Sequence, residues 1–361
     1  MSFPRRSFLR AGLGASAAGL LGLAAAQTSR TARPTGIKLG TFFSDKPSDQ
    51  DLTMLRHAGV DAVSIWTGIA NNNAEWMLAT RKKLEANGVE VYNIGVIDLH
   101  CDPALVLGLP EADTKIAQYK QYLTNLGRAG ITYTTYAHMS NIKNQPTPGF
   151  YATSMAKTRG GAETREFDVR VARTLKNSFD KEYAEDHVWR TFTRFIQAVM
   201  PVAEKSKVRI GLHPDDPPVS PLGGVARVFT SFAAYERAFQ IAGSDNFGVC
   251  LCVGTWGEGG TAMGKDPVAA ALEFGRRKKL FKVHFRNVSA PLPKFQETFV
   301  DNGYMDMYKV MRALGDVGFG GIVIPDHVPG GSVGYPQANN AYTIGYMKAL
   351  RDRVQAELRK A

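Results

Sequence analysis

An α/β fold of the closed (β/α)8 or TIM-barrel type, with an extended loop after the fourth strand, is the architecture this sequence predicts. Three observations carry that expectation. From Ile37 onward, short apolar runs alternate with segments of helical length through eight units, and parallel strands joined by helices close into such a barrel. Glycine recurs where predicted helices hand over to strands, in Ala58-Gly-Val60, Asn87-Gly-Val89 and Ala129-Gly-Ile131, as a left-handed helix end requires. No Gly-rich dinucleotide loop follows the first strand, which argues against an open doubly wound sheet.

Taken in order, the chain starts with Arg5-Arg6-Ser-Phe-Leu-Arg10 and an uncharged Ala/Gly/Leu stretch ending in Ala24-Ala25-Ala26. This is the pattern of a twin-arginine export signal over residues 1–26. A linker at 27–35 and a single catalytic domain over 36–361 follow. An exported or periplasmic protein with no stable membrane span is expected, because no other apolar stretch nears the roughly 20 residues a span needs. Removing residues 1–26 takes away three arginines and no acid, so the net charge falls from +11 to +8. The basic runs Arg81-Lys82-Lys83 and Arg276-Arg277-Lys278-Lys279 close predicted helices, where cations complement the dipole. They are read as helix ends rather than a nucleic-acid surface, and the positive balance suits a small anionic substrate.

Strands are expected at Ile37–Thr41, Ala62–Trp66, Val89–Val96 and Thr132–Ala137, then at runs ending on Leu212, Leu251, His284 and Ile324. Helices are expected after Ser48, over 74–87, 115–129, 186–205, 231–242, 266–278, 304–316 and 342–358. Residues 139–181 break the rhythm, being too long and polar for an ordinary loop. They are read as a lid or subunit contact in a homo-oligomer, with Arg165 placed to reach an anionic substrate.

The chemistry concentrates at four strand ends. Ile210-Gly-Leu-His213, Phe247-Gly-Val-Cys-Leu-Cys252, Leu280-Phe-Lys-Val-His284 and Ile322-Val-Ile-Pro-Asp326 each finish an apolar run on a metal-binding side chain. Two imidazoles, a thiolate and a carboxylate suit divalent Zn, Fe, Mn or Co. Cys250 shares strand parity with Cys252 and stays an alternative, although Cys252 stands nearer the rim. Three cysteines, with Cys101 the third, form no disulfide framework. Further polar candidates surround these ends: Asp215, Asp216, Arg286, Glu297, Asp306 and His327. Among them Arg286 has the planar fork for a carboxylate, with Asp216 and Glu297 as further substrate contacts. His327, next to Asp326, has the chemistry to move a proton. Asp306 is read either as part of that machinery or as a helix cap.

His213-Pro-Asp-Asp-Pro-Pro218, Cys252-Val-Gly-Thr255, His284-Phe-Arg286, Asn302-Gly-Tyr-Met-Asp-Met307, Pro325-Asp-His327 and Arg165-Glu-Phe-Asp168 together resemble the mannonate dehydratases, barrel enzymes of the xylose-isomerase-like group. The resemblance implies a hydro-lyase that converts D-mannonate to 2-dehydro-3-deoxy-D-gluconate with a divalent ion, manganese or iron. It implies His213, Cys252, His284 and Asp326 as metal ligands, His327 as acid/base and a catalytic tyrosine at Tyr342, with Tyr335 the rival. The segment Ala341-Tyr-Thr-Ile-Gly-Tyr346 departs from the family pattern, and so does Tyr136-Ala137-His138. A metal-dependent sugar isomerase or epimerase, and a non-catalytic periplasmic sugar-acid binder, are the competing readings.

Overall fold

The computed structural model describes residues 36–140, 152–330 and 336–360. The expected export signal (1–26), the linker (27–35), part of the long loop (141–151) and Tyr335 lie outside them.

The alternation is realised closely. Strand β1 (Lys38–Phe43) leads into helix Asp49–Ala58, β2 (Ala62–Thr67) into helix Ala74–Ala86, and β3 (Glu90–Val96) into helix Ala112–Arg128 before β4 (Tyr133–Tyr136). A hairpin, β5 (Ser154–Lys157) and β6 (Glu163–Asp168), precedes helix Glu185–Lys205. Then come β7 (Arg209–Leu212), helix Phe232–Ala242, β8 (Phe247–Cys252), helix Pro267–Arg276, β9 (Leu280–His284), the short β10 (Asn287–Val288) and β11 (Lys294–Thr298). Helix Met307–Asp316, β12 (Ile322–Ile324) and helix Pro336–Leu358 complete the described chain.

Eight parallel strands run in the order β3-β2-β1-β12-β9-β8-β7-β4. At the β3–β4 seam, side chains bridge the two strands. Asn93 Oδ1 accepts from Thr135 N at 3.3 Å, and the Tyr122 hydroxyl joins Ile94 O to Thr134 Oγ1. Helices pack outside. On Glu185–Lys205, Val188, Phe192, Phe195 and Val199 recur at helical spacing and are fully buried, with Phe195 stacked on Tyr136 of β4 at 4.4 Å. Each such burial contributes about 1.5–3 kcal/mol, and truncating Phe192 or Phe195 to alanine costs about 3–5 kcal/mol.

Local signals set the helix ends. Ser48 forms a capping box with Asp51, and Gly59 takes the left-handed conformation (φ 66°) that a side chain would strain. The helix expected from Tyr304 starts only at Met307. Asn287 is the cause: its amide donates to Val300 O and Met305 O and accepts from Met305 N, holding residues 300–305 in a turn.

Residues 139–181, read as a long loop serving as a lid or subunit contact, hold regular structure in their described part. β5 and β6 pair as a hairpin around Arg159–Gly161, and β6 pairs with β11 and β11 with β10 in a four-stranded antiparallel sheet. Phe167, Phe295, Val288 and Leu222 give it a small apolar core of its own. Gly160-Gly161 was the usable hairpin signal, masked by the charges around it. Because β10 begins three residues after His284, this sheet grows from the carboxyl end of β9, on the side of the barrel where the ligand-bearing residues emerge. Among the described residues no helix is long and apolar enough to cross a membrane.

Candidate metal centre

His213, Cys252 and His284 are brought together so that one donor atom from each lies within 4.8 Å of the others, and all three are buried. Strand pairing does this. Cys252 and His284 are register partners at the ends of β8 and β9, while His213 follows β7 with its N–H donating to Tyr136 O. β12 pairs Ile324 with His284, which carries Asp326 past the rim. Its carboxylate lies 3.6 Å from Cys252 Sγ and 3.5 Å from His284 Nδ1. Cys250 sits two rungs lower, opposite Lys282, whose buried side-chain amine donates to Ser64 Oγ and Thr135 Oγ1 inside the barrel.

These residues fit a divalent cation. Neither ring nitrogen of His284 has a hydrogen-bond partner although the residue is buried, a costly arrangement unless something binds there. His213 Nδ1 is 2.7 Å from Pro214 O, which only accepts, so the neutral ring carries its proton there and keeps a lone pair on Nε2. Burial holds both imidazoles below their ordinary range, in the neutral form that ligates. Burial alone would raise Asp326, but His327, His284 and Arg286 keep its carboxyl well below the usual carboxylate range. Burial pushes the Cys252 thiol well up, so its thiolate requires a cation beside it.

Behind this cluster Arg286 is completely enclosed. Its guanidinium contacts Glu297 Oε1 at 2.5 Å, Asp216 Oδ2 at 2.7 Å and Glu258 Oε1 at 2.9 Å, and it also donates to Thr255 Oγ1. Asp326 Oδ2 is 3.5 Å from its Nε. The fork expected to take a substrate carboxylate is thus engaged by protein carboxylates, and Asp216 and Glu297, expected as substrate contacts, point into that network. Gly254 makes room for it, since a Cβ there would collide with Arg286 Nε. Glu258 was missed by sequence reasoning. Its signal was a lone acid in the Gly-rich run Val253–Gly259, which folds as a short buried helix.

His327 joins the network. Its Nδ1 lies 2.7 Å from both Glu297 Oε1 and Arg286 Nη1, its Nε2 3.9 Å from Asp326 Oδ1, and its side chain is 25% exposed. Arg165 is half-buried on β6, one rung beyond the Gln296–Glu166 pair and so level with Glu297. Two candidates stand apart. Asp306 is exposed and caps helix Met307–Asp316 by accepting from Lys309 N. Tyr342 is exposed, donates its hydroxyl to Asp301 at 2.7 Å and packs against Arg159, itself paired with Asp301.

The sequence profile of the family described as D-mannonate dehydratase (UxuA) matches residues 154–361. The mannonate dehydratase of Streptococcus equi subsp. zooepidemicus is 31% identical over 279 residues, covering 70% of this chain and 74% of its own. Mannonate dehydratase 2 of Halalkalibacterium halodurans is 30% identical over 274 residues, covering 70% and 78%. Among solved structures, mannonate dehydratase from Streptococcus suis serotype 2 superposes with a TM-score of 0.76 at 23% identity, over 90% of this chain and 95% of that one. An L-ribulose 3-epimerase shares the fold at a TM-score of 0.56 and 14% identity, over 90% and 98%.

Proposed function

The chain belongs to the D-mannonate dehydratase (UxuA) family, and on that premise we propose that His213, Cys252, His284 and Asp326 hold one divalent cation, manganese or iron, at the mouth of the barrel. The protein is a hydro-lyase that dehydrates D-mannonate to 2-dehydro-3-deoxy-D-gluconate. The observation that carries the site assignment is the buried cluster of two imidazoles and a thiol with Asp326 against it.

The cation would supply Lewis-acid stabilisation of negative charge on the substrate's oxygens as the poorly acidic C2 proton leaves. The protein's own groups do the rest. His327 exchanges a proton at Nε2, the nitrogen on the side of Asp326. Proton loss at C2 and departure of the C3 hydroxyl as water leave an enol, which relaxes to the 2-keto acid. Arg165 is the cation assigned to the substrate's carboxylate end. Arg286 orients Asp216, Glu258, Glu297 and Asp326 rather than the substrate. A tyrosine delivers the proton to the leaving hydroxyl; Tyr342 would have to release Asp301 to do so, and Tyr335 is the alternative. Export through the twin-arginine route, with residues 1–26 removed from one catalytic domain over 36–361, belongs to the same reading, as does a homo-oligomer.

Incubating metal-loaded enzyme with D-mannonate and a panel of aldonates and aldoses tests the activity. A 2-keto-3-deoxy acid is expected. An aldose-to-ketose change would replace the lyase by an isomerase, and binding without turnover would leave a sugar-acid binder. Cell fractionation with N-terminal sequencing of the mature protein tests export, and light scattering tests the oligomer.

A further inference from the structure

Glu297 stands outside the eight-stranded barrel, on β11 of the antiparallel sheet, and its side chain is almost fully buried. Its backbone carbonyl accepts from Thr164 Oγ1 at 2.8 Å, which ties β11 to the β5–β6 hairpin. Its Oε1 lies against Arg286 Nη1 and His327 Nδ1. His327 is held with φ at +44°, in the left-handed region that side-chain-bearing residues rarely adopt, so its surroundings rather than local preference set its orientation.

We propose that Glu297 is a positioning residue: its carboxylate accepts a hydrogen bond from His327 Nδ1–H and so presents Nε2, with its lone pair, toward Asp326. The inference rests on the assignment of proton transfer to His327. Nδ1 has two neighbours at 2.7 Å, Glu297 Oε1 and Arg286 Nη1, and a neutral ring nitrogen either donates or accepts, never both. Arg286 Nη1 directs one of its two protons at Glu297 Oε1 and Nη2 faces Asp216, so the choice at Nδ1 falls to the carboxylate that both groups share. At the 2.7 Å between Nδ1 and Glu297 Oε1 a lone pair would be repelled by the carboxylate, more strongly than at the 3.9 Å between Nε2 and Asp326 Oδ1, whereas an N–H at Nδ1 makes a charge-assisted bond. The two arrangements hold the same number of ring protons and differ in tautomer alone. With the proton on Nδ1, His327 is poised to accept a proton at Nε2; with it on Nε2, His327 could only donate one.

Two measurements test this. In zinc-loaded protein carrying 15N-histidine, long-range 1H–15N spectra report the tautomer of His327, assigned with His327→Asn. The Nδ1–H form is expected in the wild type and its loss in Glu297→Met; an Nε2–H form in the wild type, or an unchanged spectrum in Glu297→Met, overturns the proposal. In steady-state assays Glu297→Gln, which keeps an acceptor oxygen, should lose about tenfold in kcat and Glu297→Met about a hundredfold, with KM within about threefold and metal content unchanged. A raised KM with kcat retained would make Glu297 a substrate contact and overturn it equally. Failure of the wild type to turn over D-mannonate would end the reading of the reaction, while the wild-type spectrum still decides the tautomer.

Discussion

Cys252 and His284 are register partners, the last residues of adjacent parallel strands, so one rung of the sheet delivers a thiol and an imidazole to the same rim. Two residues lower on each strand, Cys250 pairs with Lys282, a buried amine in place of a ligand. The two cysteines therefore face the same way in different surroundings. Cys252→Ser should lose most of the bound metal, and Cys250→Ser should keep it. Elemental analysis of the two purified variants checks this, and equal loss in both would refute the choice.

Asp326 and His327 adjoin in sequence and divide in role. His327→Asn should retain metal and substrate affinity while kcat falls by about 10² to 10⁴, the range for losing a general acid or base. Asp326→Ala should instead release the metal. Single-turnover kinetics beside metal analysis separates the two effects, and metal loss in His327→Asn would move His327 into the ligand set.

Arg286 neutralises buried acids from three separate segments: Asp216, Glu258 and Glu297. Arg286→Met should therefore cost about 3–5 kcal/mol of stability, because it strands carboxylates that water cannot reach. Urea denaturation measures it. A loss below about 1 kcal/mol would mean that the acids are protonated or solvated without the guanidinium.

Tyr342 donates its hydroxyl to Asp301, which also holds Arg159. Tyr342→Phe should lower kcat by less than about tenfold, since only an exposed hydrogen bond worth about 0.5–1.5 kcal/mol is removed. A loss of 10² or more in kcat with unchanged Tm would instead make Tyr342 the proton donor to the leaving hydroxyl.

The barrel and its four ligand-bearing strand ends were legible in the sequence because they rest on local rules. Apolar runs of strand length, Ser48, Ser231 and Asp266 as helix caps, and Gly59 at a helix exit act within a few residues of themselves. Strand parity also shows that Cys250 and Cys252 share a face, but not what stands across from each. The structure resolved that through the β8–β9 register. The antiparallel sheet escaped notice because β6 and β11 are polar and charged and β10 has only two residues, so their pairing depends on partners distant in the chain. Charge pairing inside the mouth was equally hidden. Arg286, Asp216 and Glu297 carry side chains suited to a substrate, and only packing showed that they are buried against one another, with Glu258 among them and His327 at the edge. A residue's chemistry is a property of its own atoms and can be read from the sequence; the partner that uses it is chosen by tertiary contacts among segments that only the folded chain brings together.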